Sequence, residues 1–143
     1  MFVDLGSRAL NKAAPSEWTI RVQCAVTLPD SEPEPDITVA RGGPRTFALR
    51  HPAPADIGLL IEVADSTLQG DRIDKVRIYA TAGIPIYWIV NLVERQIEVY
   101  ENPSGPTSAP AYGNRTDYRV GDSVPFVLDG AVIASFAVAD LLP

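Results

Sequence analysis

A carboxylate stands inside an otherwise apolar stretch, Ile57-Gly-Leu-Leu-Ile-Glu-Val63. An ionised carboxylate buried in a strand is costly unless it is paired or binds a cation, so Glu62 requires a partner supplied by the fold. Two candidates follow: Lys75, thirteen residues on, and a metal ion. Asp36 opens another apolar segment, Asp36-Ile-Thr-Val-Ala40. Two carboxylates brought together at neighbouring strand ends repel unless a divalent cation sits between them, and hard oxygen ligands favour magnesium or manganese.

Each residue also has a plainer reading. Pro35-Asp36 can be only a turn before a strand. Glu62 and Lys75 can form an ion pair with neither metal nor substrate. Asp71 and Lys75 are spaced to pair across one helical turn, which would leave Lys75 on the surface. Asp65 and Ser66 could touch a metal-bound water, yet Asp-Ser-Thr is equally a polar turn leading into a helix. Tyr79 shares the helix face of Lys75 and either fills the core or helps to position the lysine.

The elements that must position these groups can be read from periodicity. Leu5 to Ala14 reads as the end of a helix stopped by Pro15. Trp18 to Leu28 alternates as a half-buried strand, with Ile20, Val22, Cys24, Val26 and Leu28 on one face. An acidic, proline-rich turn leads to a short strand at Asp36, and residues 41–56 read as a long surface connection. The Glu62 segment reads as a central strand covered on both faces. Asp71 to Ala82 reads as a helix burying Ile73, Val76, Tyr79 and Ala80, with Gly83 as its stop.

Ile86 to Val90 follows as a buried strand, parallel to its predecessor through the helical crossover. Gln96-Ile-Glu-Val-Tyr100 alternates as a hairpin partner nearer an edge. Pro103 to Thr116 reads as a mobile loop, and Tyr118 to Val120, Val124 to Leu128 and Ala131 to Phe136 as short strands. Val138 to Leu142 reads as a helical turn docked on the core.

Length and composition narrow the classes. A chain of 143 residues fits one domain, and 46% hydrophobic with 21% charged residues is the balance of a folded globular protein. The lone Cys24 can form no internal disulfide and no signal-peptide pattern opens the chain, so a cytoplasmic setting is expected. No apolar run is long enough to span a bilayer. A net charge of -6 argues against a broad electrostatic grip on nucleic acid, so a polynucleotide would be held locally. His51 has no second His or Cys at ligand spacing. Trp18 and Trp88 belong to apolar strands and read as core. Walker, Rossmann and Gly-x-Ser-x-Gly motifs are absent.

The ordered blocks Glu34-Pro-Asp36, Leu59-Leu-Ile-Glu-Val-Ala-Asp-Ser66, Asp71-Arg-Ile-Asp-Lys75, Tyr79-Ala-Thr-Ala-Gly-Ile-Pro85 and Tyr87-Trp-Ile-Val90 carry a resemblance. From about Trp18 onward the chain resembles the Uma-two family of PD-(D/E)XK nucleases. The resemblance implies an α/β fold: a restriction-endonuclease-like mixed β-sheet core with flanking helices and extra β-hairpins, one domain over residues 1–143. Family members commonly carry a longer N-terminal region with a helical segment and an additional acidic residue, against Met1 to Pro15 here.

By the same resemblance, Asp36 and Glu62 are the acidic residues of the motif and, with the backbone carbonyl of Val63, ligands of Mg2+ or Mn2+. The superfamily's usual lysine, two residues after the glutamate, is replaced by Ala64, and its role passes to Lys75 on the helix. The implied activity is divalent-metal-dependent hydrolysis of phosphodiester bonds in nucleic acid, DNA foremost, by a homodimer. Two rivals remain at this level: a catalytically silent nuclease-fold module for binding or dimerisation, and a phosphohydrolase acting on small phosphate esters.

Overall fold

A computed structural model describes residues 2–65 and 68–143. Six strands form one mixed sheet in chain order: β1 (Trp18–Val22), β2 (Ile37–Arg41), β3 (Ile57–Ala64), β4 (Ile86–Asn91), β5 (Gln96–Pro103) and β6 (Tyr112–Arg119). Every neighbouring pair is antiparallel except β3 and β4, whose parallel pairing requires the helical crossover between them. β7 (Ser123–Leu128) and β8 (Ala131–Ala137) make a separate antiparallel hairpin.

The central strands are apolar on both sides because both sheet faces are covered. On one face, Val39, Leu59, Ile61, Trp88, Val90, Ile97 and Val99 pack against α1 (Phe2–Ala13), the β7–β8 hairpin and α4 (Val138–Leu141). α1 presents Phe2, Gly6 and Leu10, spaced four apart, as its buried stripe. On the other face, Leu60, Ala64, Tyr87, Ile89 and Tyr100 pack against Tyr79, Ile84, Val26 and Leu28.

This second face lies under one continuous helical run. It comprises α2 (Leu68–Gly70), a π-helical turn at Asp71–Lys75 and α3 (Val76–Thr81), with Gly70 and Lys75 both in the right-handed helical region at the joins. The run ends in a Schellman-type cap. Gly83, at φ 74, donates to the Ala80 carbonyl, and Ile84 donates to the Tyr79 carbonyl. Among the described residues no helix is long and apolar enough to cross a membrane.

Three expectations from the sequence are corrected. The first strand ends at Val22, because Gln23 turns the chain at φ 52; Val22 is left exposed, and Val26 and Leu28 enter the core of the opposite face. The π turn shifts the helical phase, so Asp71 is buried while Ile73 is 53% exposed. Residues 112–116, read as loop, are part of β6. The remaining strands, the hairpin of β4 with β5 and the terminal helical turn lie where the patterns put them.

Candidate functional site

The register of β2 on β3 pairs Ile37 with Ile61, and one further step sets Asp36 opposite Glu62. Side chains alternate along a strand, so both carboxylates project from the face that carries Leu60 and Tyr87, beneath the helix. Asp36 lies one residue before β2 and substitutes for the missing ladder partner: its Oδ2 accepts the Val63 N–H at 2.7 Å. In a strand the N–H and C=O of one residue point to the same edge, so the Val63 carbonyl also faces the Asp36 side. The next carbonyl, that of Ala64, points the other way and accepts from Leu92.

Glu62 is 5% exposed. Lys75 Nζ lies 2.8 Å from its Oε2 and the Tyr79 hydroxyl donates to the same oxygen at 2.7 Å. Lys75 and Tyr79 reach it together because residues four apart share a helix face. Burial pushes the Glu62 carboxyl above its ordinary range; the Lys75 and Tyr79 donors pull against this, and the Asp36 charge adds to it. Burial also raises the Tyr79 phenol, helped by the Glu62 charge, so Tyr79 is a proton-bearing donor at neutral pH.

These contacts decide several of the alternatives. Lys75 is turned to Glu62, not to the surface. Tyr79 is fully buried, as the core reading has it, and its hydroxyl bonds the Glu62 carboxylate. Asp65 is exposed beyond the end of β3, while Ser66 lies outside the described residues. His51 Nε2 lies 4.0 Å from Glu32 within the exposed loops, and Cys24 donates to the Val22 carbonyl. Trp18 and Trp88 are core, Trp18 with the Arg41 guanidinium 4.4 Å from its ring centre.

Among the described residues no group of three or more His, Cys, Asp or Glu side chains stands at metal-holding spacing. Asp36 and Glu62 stand opposite each other, and a cation held between them could take a third oxygen from the Val63 backbone. Such a donor set would be all oxygen, the kind that suits Mg2+ or Mn2+.

A family model described as "Putative restriction endonuclease", Uma2, matches residues 4–129. The chain belongs to the Uma2 family. Its fold is restriction-endonuclease-like: it is similar to the crystal structure of a "putative nuclease belonging to DUF820" from Anabaena variabilis, with a TM-score of 0.67 at 16% identity, covering 98% of this chain and 77% of that one. A comparison with curated proteins finds no match.

In this Uma2 chain Ala64 is fully buried and supplies no amine, and Lys75 is the cation that reaches Glu62. A second buried carboxylate escaped the sequence reading. Glu98 on β5 is wholly buried and accepts from Arg72, Asn91, Gln96 and Tyr100, with Arg115 at 3.3 Å. Burial works to raise its carboxyl, but these donors outweigh burial and hold it down at about 2. Alternation at Gln96, Glu98 and Tyr100 looks like a wetted face. The available signal was the excess of hydrogen-bonding types on it, which suits a buried network equally well.

Proposed function

We propose that this Uma2 protein is a divalent-metal-dependent nuclease that hydrolyses phosphodiester bonds of nucleic acid, DNA foremost. Asp36, Glu62 and the Val63 carbonyl would hold Mg2+ or Mn2+, and residues 1–143 would act as one nuclease domain. The observation that carries this reading is the juxtaposition of Asp36 with Glu62 across β2 and β3, with an ammonium 2.8 Å from the buried carboxylate.

A cation bound there supplies Lewis acidity, lowering the pKa of a coordinated water and offsetting charge on the phosphate. The chain's own residues do the rest. Asp36 is fixed by the Val63 N–H, so its carboxylate keeps its direction. Glu62 is held by Tyr79, which keeps its proton and orients the carboxylate without competing as a base. Lys75, which is part-exposed, can release Glu62 to orient the attacking water or to stabilise charge on the phosphate. Burial of Glu62 keeps the surroundings dry, which strengthens each of these interactions.

One observation favours a second reading. Lys75 and Tyr79 already satisfy one Glu62 oxygen, as they would in a silent binding module whose ion pair is only structural. Incubating the protein with single- and double-stranded DNA, RNA and a generic phosphate ester, in Mg2+, Mn2+ or EDTA, separates the readings. Metal-dependent cutting of nucleic acid supports the nuclease. Turnover of the ester alone would make it a small-molecule phosphohydrolase, and inertness toward all of them a silent module. We propose homodimerisation as well, supported by the apolar side chains that β8 leaves exposed, Val132 among them; light scattering tests it.

A further inference from the structure

Glu62 and Glu98 lie in one row across the sheet: Glu62 pairs with Ile89, and Ile89 with Glu98. Two strand spacings, about 10 Å, separate them on the same face. The same helical run touches both, with Arg72 on Glu98 and Lys75 and Tyr79 on Glu62. Their contacts put Arg72, Lys75 and Tyr79 along the side of the helical run that faces the sheet. Ile73, one residue on from Arg72, points out to solvent.

Arg72 engages Glu98 as a fork, Nε at 3.1 Å and one terminal nitrogen at 2.5 Å, from within the π-helical turn that precedes Lys75. Asn91, Gln96, Tyr100 and Arg115 also reach Glu98, and all four belong to β4, β5 or β6. The sheet therefore satisfies Glu98 largely by itself, and Arg72 is its only partner on the helix among the described residues. Other polar ties of the helical run include the Tyr87 hydroxyl, which donates to the Asp71 carbonyl, Arg72 at 3.4 Å from Glu94, and the Gly105 N–H, which donates to the Ala80 carbonyl, besides the contacts to Glu62.

We infer that Arg72 and Glu98 are positioning residues, whose forked ion pair fixes the rotation of the π-helical turn and so aims Lys75 at Glu62. The catalytic consequence rests on the nuclease reading above; the geometric consequence does not. Lys75 ends that turn and holds Glu62 at 2.8 Å, so a rotation of the turn moves the ammonium's anchor relative to the carboxylate. A misplacement of about 1 Å is enough to lower a rate about a hundredfold.

The test compares Arg72→Met, Arg72→Lys and Arg115→Ala with the wild-type protein. Arg115→Ala removes a Glu98 contact without touching the helix. NMR observation of the Lys75 ammonium needs no turnover: a bound ammonium exchanges slowly enough to give a 1H–15N signal. In Arg72→Met, with circular dichroism unchanged, this signal should be lost and kcat on nucleic acid should fall ten- to a hundredfold, with KM within twofold. Arg72→Lys should recover part of both, and Arg115→Ala should match the wild type.

An unchanged Lys75 signal and kcat in folded Arg72→Met would overturn the inference. So would an equal loss in Arg115→Ala, or failure of Arg72→Met to fold, which would make the pair a requirement of the fold itself. If the wild type cuts nothing, the nuclease reading fails and the Lys75 signal alone decides this one.

Discussion

The Asp36 carboxylate closes the edge of β3 by accepting the Val63 N–H at 2.7 Å, a side chain standing where a strand would otherwise continue. Asp36 therefore has a structural task in addition to its proposed one, and the two are separable. Asp36→Ala leaves the Val63 amide without a partner and should cost about 1–3 kcal/mol of stability. Asp36→Asn keeps a carbonyl acceptor for that amide while losing the charge. Denaturant melts should place Asp36→Asn near the wild type and Asp36→Ala below it, with faster hydrogen exchange at Val63; both should lose metal affinity.

Tyr79→Phe keeps the ring that packs on Tyr87 and removes only the bond to Glu62. The metal-free protein should lose about 1–3 kcal/mol, the range for depriving a buried charged acceptor of its donor. A bound cation replaces part of what is lost, so Mg2+ should raise the melting temperature of Tyr79→Phe by more than that of the wild type. Equal shifts would show that Glu62 does not touch the metal.

The Glu62 carboxyl is raised, mainly by burial. A raised carboxyl binds its proton more tightly in the folded state, so its ionisation costs stability as pH rises from the unfolded value through the folded one. Metal binding must displace that proton. Manganese affinity, followed by calorimetry across pH, should therefore fall off at a pH above the ordinary carboxylate range, with proton release on binding in that window. Loss of affinity only at ordinary carboxylate pH would contradict the burial argument.

Glu98 behaves oppositely. Despite burial, its donors hold the carboxyl at about 2, well below the ordinary carboxylate value of about 4.5. The stability it contributes is complete above the unfolded value and is lost as pH falls from about 4.5 toward about 2. Acid unfolding of Glu98→Gln should start from a lower stability and be shallower across that window.

Relocating the lysine tests the role assigned to it. Ala64 projects from the same strand face as Glu62, at the position where the superfamily usually carries its amine. A Lys75→Ala variant should lose cleavage, and adding Ala64→Lys should restore part of it, at an overpacking cost of about 1–3 kcal/mol in stability. Restoration is measured as the initial rate of plasmid nicking.

Glu62 was legible because a charge inside Ile57–Val63 violates the pattern around it, and a violation demands a partner. Glu98 was not, since it obeys a pattern: alternation reads as one wet face and one dry face, and only the β6 strand and Arg72 make both faces dry. β6 itself was hidden because Gly113, Asn114, Arg115, Thr116 and Asp117 have no apolar period, its place being set by pairing with β5. The end of β1 depends on a positive φ at Gln23, a residue type that does not announce one. The helix was legible over Asp71 to Thr81, but its π turn was not. The phase that turns Asp71 in and Ile73 out is set by sheet residues distant in sequence, Glu98 and Tyr87.

The central claim is that Asp36, Glu62 and Lys75 together make a metal-dependent nuclease. It is tested most directly by plasmid and single-strand cleavage in Mg2+ or Mn2+ by the wild type, Asp36→Asn, Glu62→Gln and Lys75→Ala, each first shown to fold. Cutting by the wild type that EDTA abolishes, and that falls by at least about a hundredfold in all three variants, is the expected result. No cutting by folded wild type, or undiminished cutting by the variants, would contradict it.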